Sequence, residues 1–385
     1  DTIFAPLYEV LKARGVTFKF FHRVEQLHLS PDGRRIQAID VSRQVTLKDG
    51  KEYQPLIDVK GLPCWPSQPL ADQIVEGDRL KETILVAGQD IPKYNLESFW
   101  TPWPNVEKLT LKVEQNFDIV LLGISLGALR WVCSELIAVP GPQGDAWRKM
   151  MTHVKTVQTQ AFQVWMKPDT AGLGWPLWKM GLAVMDAYDV GPVETKADTW
   201  TDMSHLILRE SWPDDHTPGN ISYFCGARRG LSLDQLPPPT DHEFPLENFR
   251  QSKEDSLEFL RRYIQPLWQH ATRPDGKYPS ALDWDLLVDL GNRQGEARFD
   301  GQFWRLNADP TERYVLTLAG STKYRLRTDG SGYDNLFLTG DWIYNGANAG
   351  FVESAVMSGL LASQAITARL IGKASPERIV GWPSA

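Results

Sequence analysis

The sequence predicts a mixed fold, with an α/β portion built from both ends of the chain and an α+β domain of sheet and helix inserted between them. Three observations carry this. A short apolar strand, Leu336 to Leu338, stops at Gly340-Asp341 and gives way to a loop of small residues and a helix. A helix, a glycine, a strand and a hairpin follow one another over residues 2–41. From Thr159 to about residue 330, short runs rich in β-branched and aromatic residues surround one charged helical stretch. At 385 residues the chain can hold one large or two ordinary domains.

Composition narrows the classes. Apolar residues at 42% and charged residues at 23% describe a globular chain with a real core. A net charge of −7 argues against nucleic acid as the main partner, and against a polybasic membrane anchor. Cys64, Cys133 and Cys225 are odd in number and far apart, which points to a reducing, cytoplasmic setting without a disulfide framework. The seven histidines show no metal-ligand spacing. The fifteen tryptophans suggest a large aromatic core or an aromatic-lined pocket, the core being the commoner home. No run of about 18 uncharged apolar residues is present, so no transmembrane segment is expected. No secretory signal is visible. The chain opens on Asp1 and reads as a fragment or processed form.

Residues 2–14 read as a helix with Ile3, Leu7, Val10 and Leu11 on one face, and Gly15 as its stop. Val16 to His22 alternates as a strand does, and Val24 to Leu29 continues it. Pro31-Asp32-Gly33 turns the chain into a return strand, Arg35 to Val41. Residues 46–115 are less regular. Pro63-Cys64-Trp65-Pro66 and Trp100 to Pro104 read as rigid aromatic turns of a surface insertion or pocket lining, the insertion being favoured. Asp118 to Gly123 is a buried strand within residues 116–139.

Strands are expected at Ala161 to Met166, Leu182 to Asp186, Leu206 to Glu210 and Ile221 to Cys225. Further strands are expected at Gly301 to Leu306 and Tyr314 to Leu318. Leu257, Leu260, Ile264 and Leu267 fall at helical spacing. Pro237 to Pro239 is a loop. The last segment, 331–385, carries the strand that stops at Gly340 and a helix from about Phe351, with Val352, Ala355, Val356 and Leu360 on one face.

That last segment has the makings of a ligand cradle. A glycine at a strand end permits close backbone approach. The helix start offers unpaired N–H groups and a positive dipole. The acid Asp341 at the strand tip can accept from hydroxyl groups.

The run Gly340-Asp341-Trp342, the loop ending at Gly350, and Val352-Glu353-Ser354-Ala355 before Ser358-Gly359 resemble the C-terminal FAD motif of flavin amine oxidases and phytoene-desaturase-like enzymes. The helix–strand–hairpin order of residues 1–45 is similar to the middle of the same FAD domain. Motif-level detail covers about 60 residues, the outline nearly the whole chain. The resemblance implies an incomplete FAD-binding domain, Rossmann-like and of glutathione-reductase type, with the substrate domain inserted at residues 140–330.

It also implies roles. Gly340, Asp341 and Trp342 would stand at the ribityl and pyrophosphate of FAD. Gly350, Phe351 and the N–H of Val352 would stand at the flavin ring edge. The backbone at Val24 would meet the adenine. The chemistry implied is hydride transfer from a C–N or C–C bond to flavin N5. Gly340-Asp341 leans toward the desaturase side and an apolar, isoprenoid-like small molecule. Lys179 and Lys323 are the candidates for a lysine near the flavin, although an exposed lysine is the commoner reading of each.

The family's opening Gly-x-Gly-x-x-Gly unit has no counterpart; Gly226 to Gly230 and Gly291 to Gly295 match neither the pattern nor its setting. The resemblance therefore implies that a dinucleotide-binding segment of roughly 100–250 residues lies elsewhere. Two other classes compete. Gly123-Ile-Ser-Leu-Gly127 matches the nucleophile elbow of a serine hydrolase. Ser125 would be its nucleophile, with His153, His205, His216, His242 or His270 as base. A non-catalytic FAD-fold protein that uses its tryptophans to bind partners is the third class.

Overall fold

In a computed structural model of the chain, the described residues are 2–180, 188–189, 197–213, 215–228 and 230–372. They form a mixed α/β structure with several separate sheets. The strand expected at Leu182 to Asp186 lies outside the described residues.

The first helix spans Phe4–Ala13, but its expected face points the other way. Ala5 and Tyr8 are buried, while Ile3, Leu7, Val10 and Leu11 are exposed. Tyr8 sets the orientation by packing edge-on against Phe18 at 4.7 Å and Trp65 at 5.4 Å. Aromatic pairs of this geometry are worth about 0.5–1.5 kcal/mol beyond their buried area. The same cluster breaks the strand expected from Val16. Phe21 adopts a positive φ of 60°, and extended pairing begins only at His22.

His22–Leu29 and Ile36–Arg43 then form the expected antiparallel hairpin. Its third strand, Glu107–Lys112, comes from the end of the stretch read as an insertion. The tryptophans of the second aromatic turn inside that stretch are not surface residues. Trp100 and Trp103 are buried, and their indole N–H groups donate to Pro237 O at 3.3 Å and Gln44 O at 2.7 Å. A satisfied N–H is what allows tryptophan into an interior.

Val120–Leu122 lies parallel to Leu336–Leu338, joining positions more than 200 residues apart in sequence. Leu122, Leu336 and Leu338 point into one core with Leu27, Ile36, Trp147 and Trp342. Leu121, on the opposite face, is exposed. The helix Pro142–His153 belongs to this same core, with Trp147 donating to Ser331 O at 2.9 Å.

The inserted part is an antiparallel sheet centred on the long strand Thr156–Met166. Asn220–Arg228 and Phe303–Asn307 flank it, Thr199–Asp202 and Tyr188–Asp189 extend it, and Tyr314–Val315 pairs with its first residues. The alternation of Thr156–Met166 puts Phe162, Val164 and Met166 on the face covered by the helix Phe244–Arg262. There Phe162 stacks on Phe224 at 4.6 Å. Thr159, Ala161, Gln163 and Trp165 share the other face, which is only half-buried. The segment Leu206 to Glu210 is not a strand. It follows a single 3-10 turn at Ser204–Leu206, and Trp212 donates to Ile207 O across it.

The last helix, Val352–Ile371, again exists where expected but faces the other way. Ser354, Ser358, Leu361 and Ala362 are buried, while Val352, Val356 and Leu360 are exposed. By length and by a mean hydropathy of 1.2 alone it would suffice to cross a membrane. Its inward face is nevertheless bonded through serines to the strand tip.

Candidate functional site

The site is built where Leu336–Leu338 ends. Gly340 takes a φ of 125°, which an L side chain rarely adopts. A Cβ there would also lie 2.6 Å from Trp342 Nε1, so it is the indole of Trp342 that closes on this backbone. Gly340 N donates to Ser358 Oγ at 2.7 Å, and Thr339 and Ser358 share a hydroxyl bond of 2.9 Å. The small serine lets the helix approach the strand closely and satisfies the N–H left at its end.

The loop to the helix is pinned by side-chain amides. Asn345 Nδ2 donates to Ser354 O and Oγ at 2.9 and 2.8 Å. Asn345 and Asn348 also exchange two side chain–backbone bonds, at 2.8 and 3.1 Å, with Asn348 left-handed at φ 55°. This fixes where the helix starts. Phe351 is its N-cap, extended, with no side-chain cap bond, so the first N–H groups from Val352 onward have no cap from this residue. Phe351 and Val352 are both about half exposed.

Asp341 is partly buried, and burial holds its carboxyl above the ordinary carboxylate range while the nearby Arg325 charge pulls it down. Arg325 is itself buried and donates from Nη1 to Asp341 O at 2.5 Å. Tyr314 approaches from the inserted sheet. Its ring lies where a Cβ on Gly350 would come within 2.7 Å. Burial raises its hydroxyl, and the charges of Asp341 and Cys225 both act on it in the same direction. Trp342 Nε1 is buried and has no partner among the described residues.

Six of the seven residues expected at the cradle, Gly340, Asp341, Trp342, Gly350, Phe351 and Val352, thus lie on one strand tip, loop and helix start. Val24 lies on His22–Leu29 and packs against the apolar cluster that contains Leu338 and Trp342. Arg325 and Tyr314 were not expected at the site, and Asn345, Asn348 and Ser358 lie in the expected loop and motif but without the bonding roles they have here. Only the serine carried a sequence signal, as a polar residue interrupting an otherwise apolar helix. Lys179 and Lys323 are exposed, each with its ammonium over the neighbouring ring of Trp178 or Tyr324.

The hydrolase constellation is not assembled. Ser125 has an ordinary φ of −57°, not the strained turn of a nucleophile elbow. Among the described residues none of the five candidate histidines bonds its hydroxyl: His153 stacks on Tyr324, His216 bonds Asp215, and His242 bonds Trp100 O. No group of three metal-ligating side chains occurs among the described residues. Two surface hollows among the described residues do not include Asp341 in their lining. One, of about 380 Å³, is lined by Arg23, Asp40 and Lys108, and the other, of about 450 Å³, by Arg261, Lys277 and Tyr278.

No protein-family profile matches the chain, and no curated protein matches it. Among solved structures it is similar to an oxidoreductase from Methanosarcina mazei, at 9% identity and a TM-score of 0.38. The match covers 93% of this chain and 52% of that one, so the chain spans about half of that protein's length. A likeness this slight carries no argument about function.

Proposed function

We propose that the protein is an FAD-dependent oxidoreductase, amine oxidase-like or desaturase-like, acting on a small or apolar substrate. The observation that carries this is the assembly at the strand tip. A buried parallel strand ends at Leu338, three residues before Asp341, and a loop locked by Asn345 sets the helix start at Val352 with no side-chain cap at its N-cap.

The residues present fit a flavin. Asp341 offers a carboxyl to ribityl hydroxyls, the helix start offers N–H groups and positive dipole to an electron-rich ring edge, and Trp342 holds an unpartnered buried N–H. When bound, FAD would supply the acceptor for a hydride taken from a C–N or C–C bond. The chain's own part is to orient the ring through Gly350, Phe351 and Val352, and to hold the ribityl region at Asp341. The half-buried face of the inserted sheet, with Tyr314 at its junction with the loop, would exclude water from the substrate side.

The reading places a further dinucleotide-binding segment against the apolar residues that face outward here: Leu121 on the parallel pair, and Val352, Val356 and Leu360 on the last helix. Parallel strands are otherwise covered on both faces.

Titration of the purified protein with FAD, followed by quenching of flavin fluorescence, tests the reading. Saturable binding that falls at least tenfold in Asp341→Ala supports it. Equal affinity in the parent and Asp341→Ala would remove Asp341 from the cradle.

A further inference from the structure

We propose that Arg325 is the positioning residue of the Asp341 site: it holds the strand tip and the loop together and sets a buried positive charge beside Asp341. The functional meaning rests on the flavin reading above; the test does not.

Arg325 is 4% exposed. Its guanidinium joins three segments. Nη1 donates to the carbonyl of Asp341 at 2.5 Å, and Nη2 donates to Thr317 Oγ1 at 3.0 Å and reaches Leu316 O at 3.5 Å. Thr317 Oγ1 in turn donates to Asn348 O. One side chain therefore ties the strand tip, the chain leaving the inserted sheet and the loop before the helix. No carboxylate among the described residues lies within hydrogen-bond distance of it, and Nε has no partner.

A guanidinium this enclosed is costly unless a negative charge answers it. Asp341 is the acid whose charge acts on it: each group draws the other toward its charged form, against burial. A protonated carboxyl and a carboxylate do different work at a strand tip, since only the carboxylate offers all its oxygen lone pairs to hydroxyl donors. Arg325 thus favours the acceptor form of Asp341 against the burial that disfavours it.

The test compares urea stability of the parent and Asp341→Asn across pH. A carboxyl raised by burial favours the protonated form in the fold. Its advantage over Asn is full below the free carboxyl value of 3.8 and is lost as pH rises through the folded value. In an Arg325→Met background that loss should start at the same free value but run on to a pH about one unit higher or more, and so be larger. Arg325→Lys, which returns the charge without the fork, should bring the end of the loss back toward the parent's while amide exchange in residues 341–350 stays faster than in the parent. A loss in Arg325→Met that ends at the same pH as the parent's and has the same size overturns the proposal.

Should Arg325→Met fail to fold, Thr317→Val tests the tie directly. It removes the acceptor of Nη2 and the donor to Asn348, and exchange of the 341–350 amides should quicken about tenfold, equivalent to ~1.4 kcal/mol of local opening. Unchanged exchange overturns the proposal. Neither arm uses flavin, so a protein that binds no FAD can still pass, and one that binds FAD can still fail.

Discussion

Ser358 accepts the N–H of Gly340 at 2.7 Å and returns its own proton to Ala355 O at 2.6 Å. The second turn of the last helix is thereby bonded to the end of the strand it packs on. Replacing Ser358 by alanine leaves a buried N–H unpaired, at a cost of about 1–3 kcal/mol. Urea denaturation should show a lower midpoint at unchanged slope. A change below about 0.5 kcal/mol, the usual range of an inconsequential surface substitution, would contradict this contact.

Gly350 and Tyr314 form a second testable pair. A methyl group on Gly350 would meet the Tyr314 ring at 2.7 Å, and no positive φ stands in the way of alanine there. Gly350→Ala should therefore destabilise the parent by about 1–3 kcal/mol and do much less in a Tyr314→Ala background. Additive effects in the double variant would mean that the ring does not sit on this backbone.

His28 supplies a pH-dependent link. Its Nδ1 bonds Glu135 at 2.8 Å and its Nε2 bonds Asp40 at 2.9 Å, so the charged ring bridges the N-terminal hairpin and the short helix Ser134–Ala138. Burial works against the charge, but the bonds to Asp40 and Glu135 outweigh it and raise the imidazole above its usual 6.5. A raised histidine lends stability that is complete below the free value and fades as pH rises through the folded one. The parent should lose part of its stability above about pH 6.5. His28→Gln should lack that component, and two superimposable pH profiles would refute the link.

Cys225 is the most accessible of the three thiols, with Cys64 and Cys133 both buried. Burial still raises the Cys225 thiol and pushes Cys133 up to about 12. Iodoacetamide on the native protein should modify Cys225 first, slowly at neutral pH and faster as pH climbs, since the thiolate is the nucleophile. Mass spectrometry showing Cys64 or Cys133 alkylated ahead of it would contradict the packing of both cores.

The strands were legible where apolar runs ended at glycine or at turn residues. Leu336–Leu338, Val120–Leu122 and the hairpin up to Arg43 all announce themselves this way. The two terminal helices were legible as helices but not in their facing. Sequence periodicity ranks faces by hydropathy, whereas the fold chose Tyr8 for its aromatic neighbours, and Ser354 and Ser358 for their size and hydroxyls. Trp100 and Trp103 sit in proline-rich turns that look superficial, and only the distant carbonyls of Pro237 and Gln44 make them interior. The site showed the same division. Gly340, Asp341 and the helix start stand together in sequence. Arg325 and Tyr314 reach them only through tertiary structure, and no local pattern marks either.

The central claim is that the strand tip at Asp341 and the helix start at Val352 cradle a flavin. The most direct measurement is the absorption spectrum of the gene's full product, purified without added cofactor and again after incubation with FAD. The account predicts bands near ~370 and ~450 nm that persist through gel filtration, the signature of a cofactor that carries the redox chemistry. A full product that is colourless as purified and retains no FAD after incubation would contradict it.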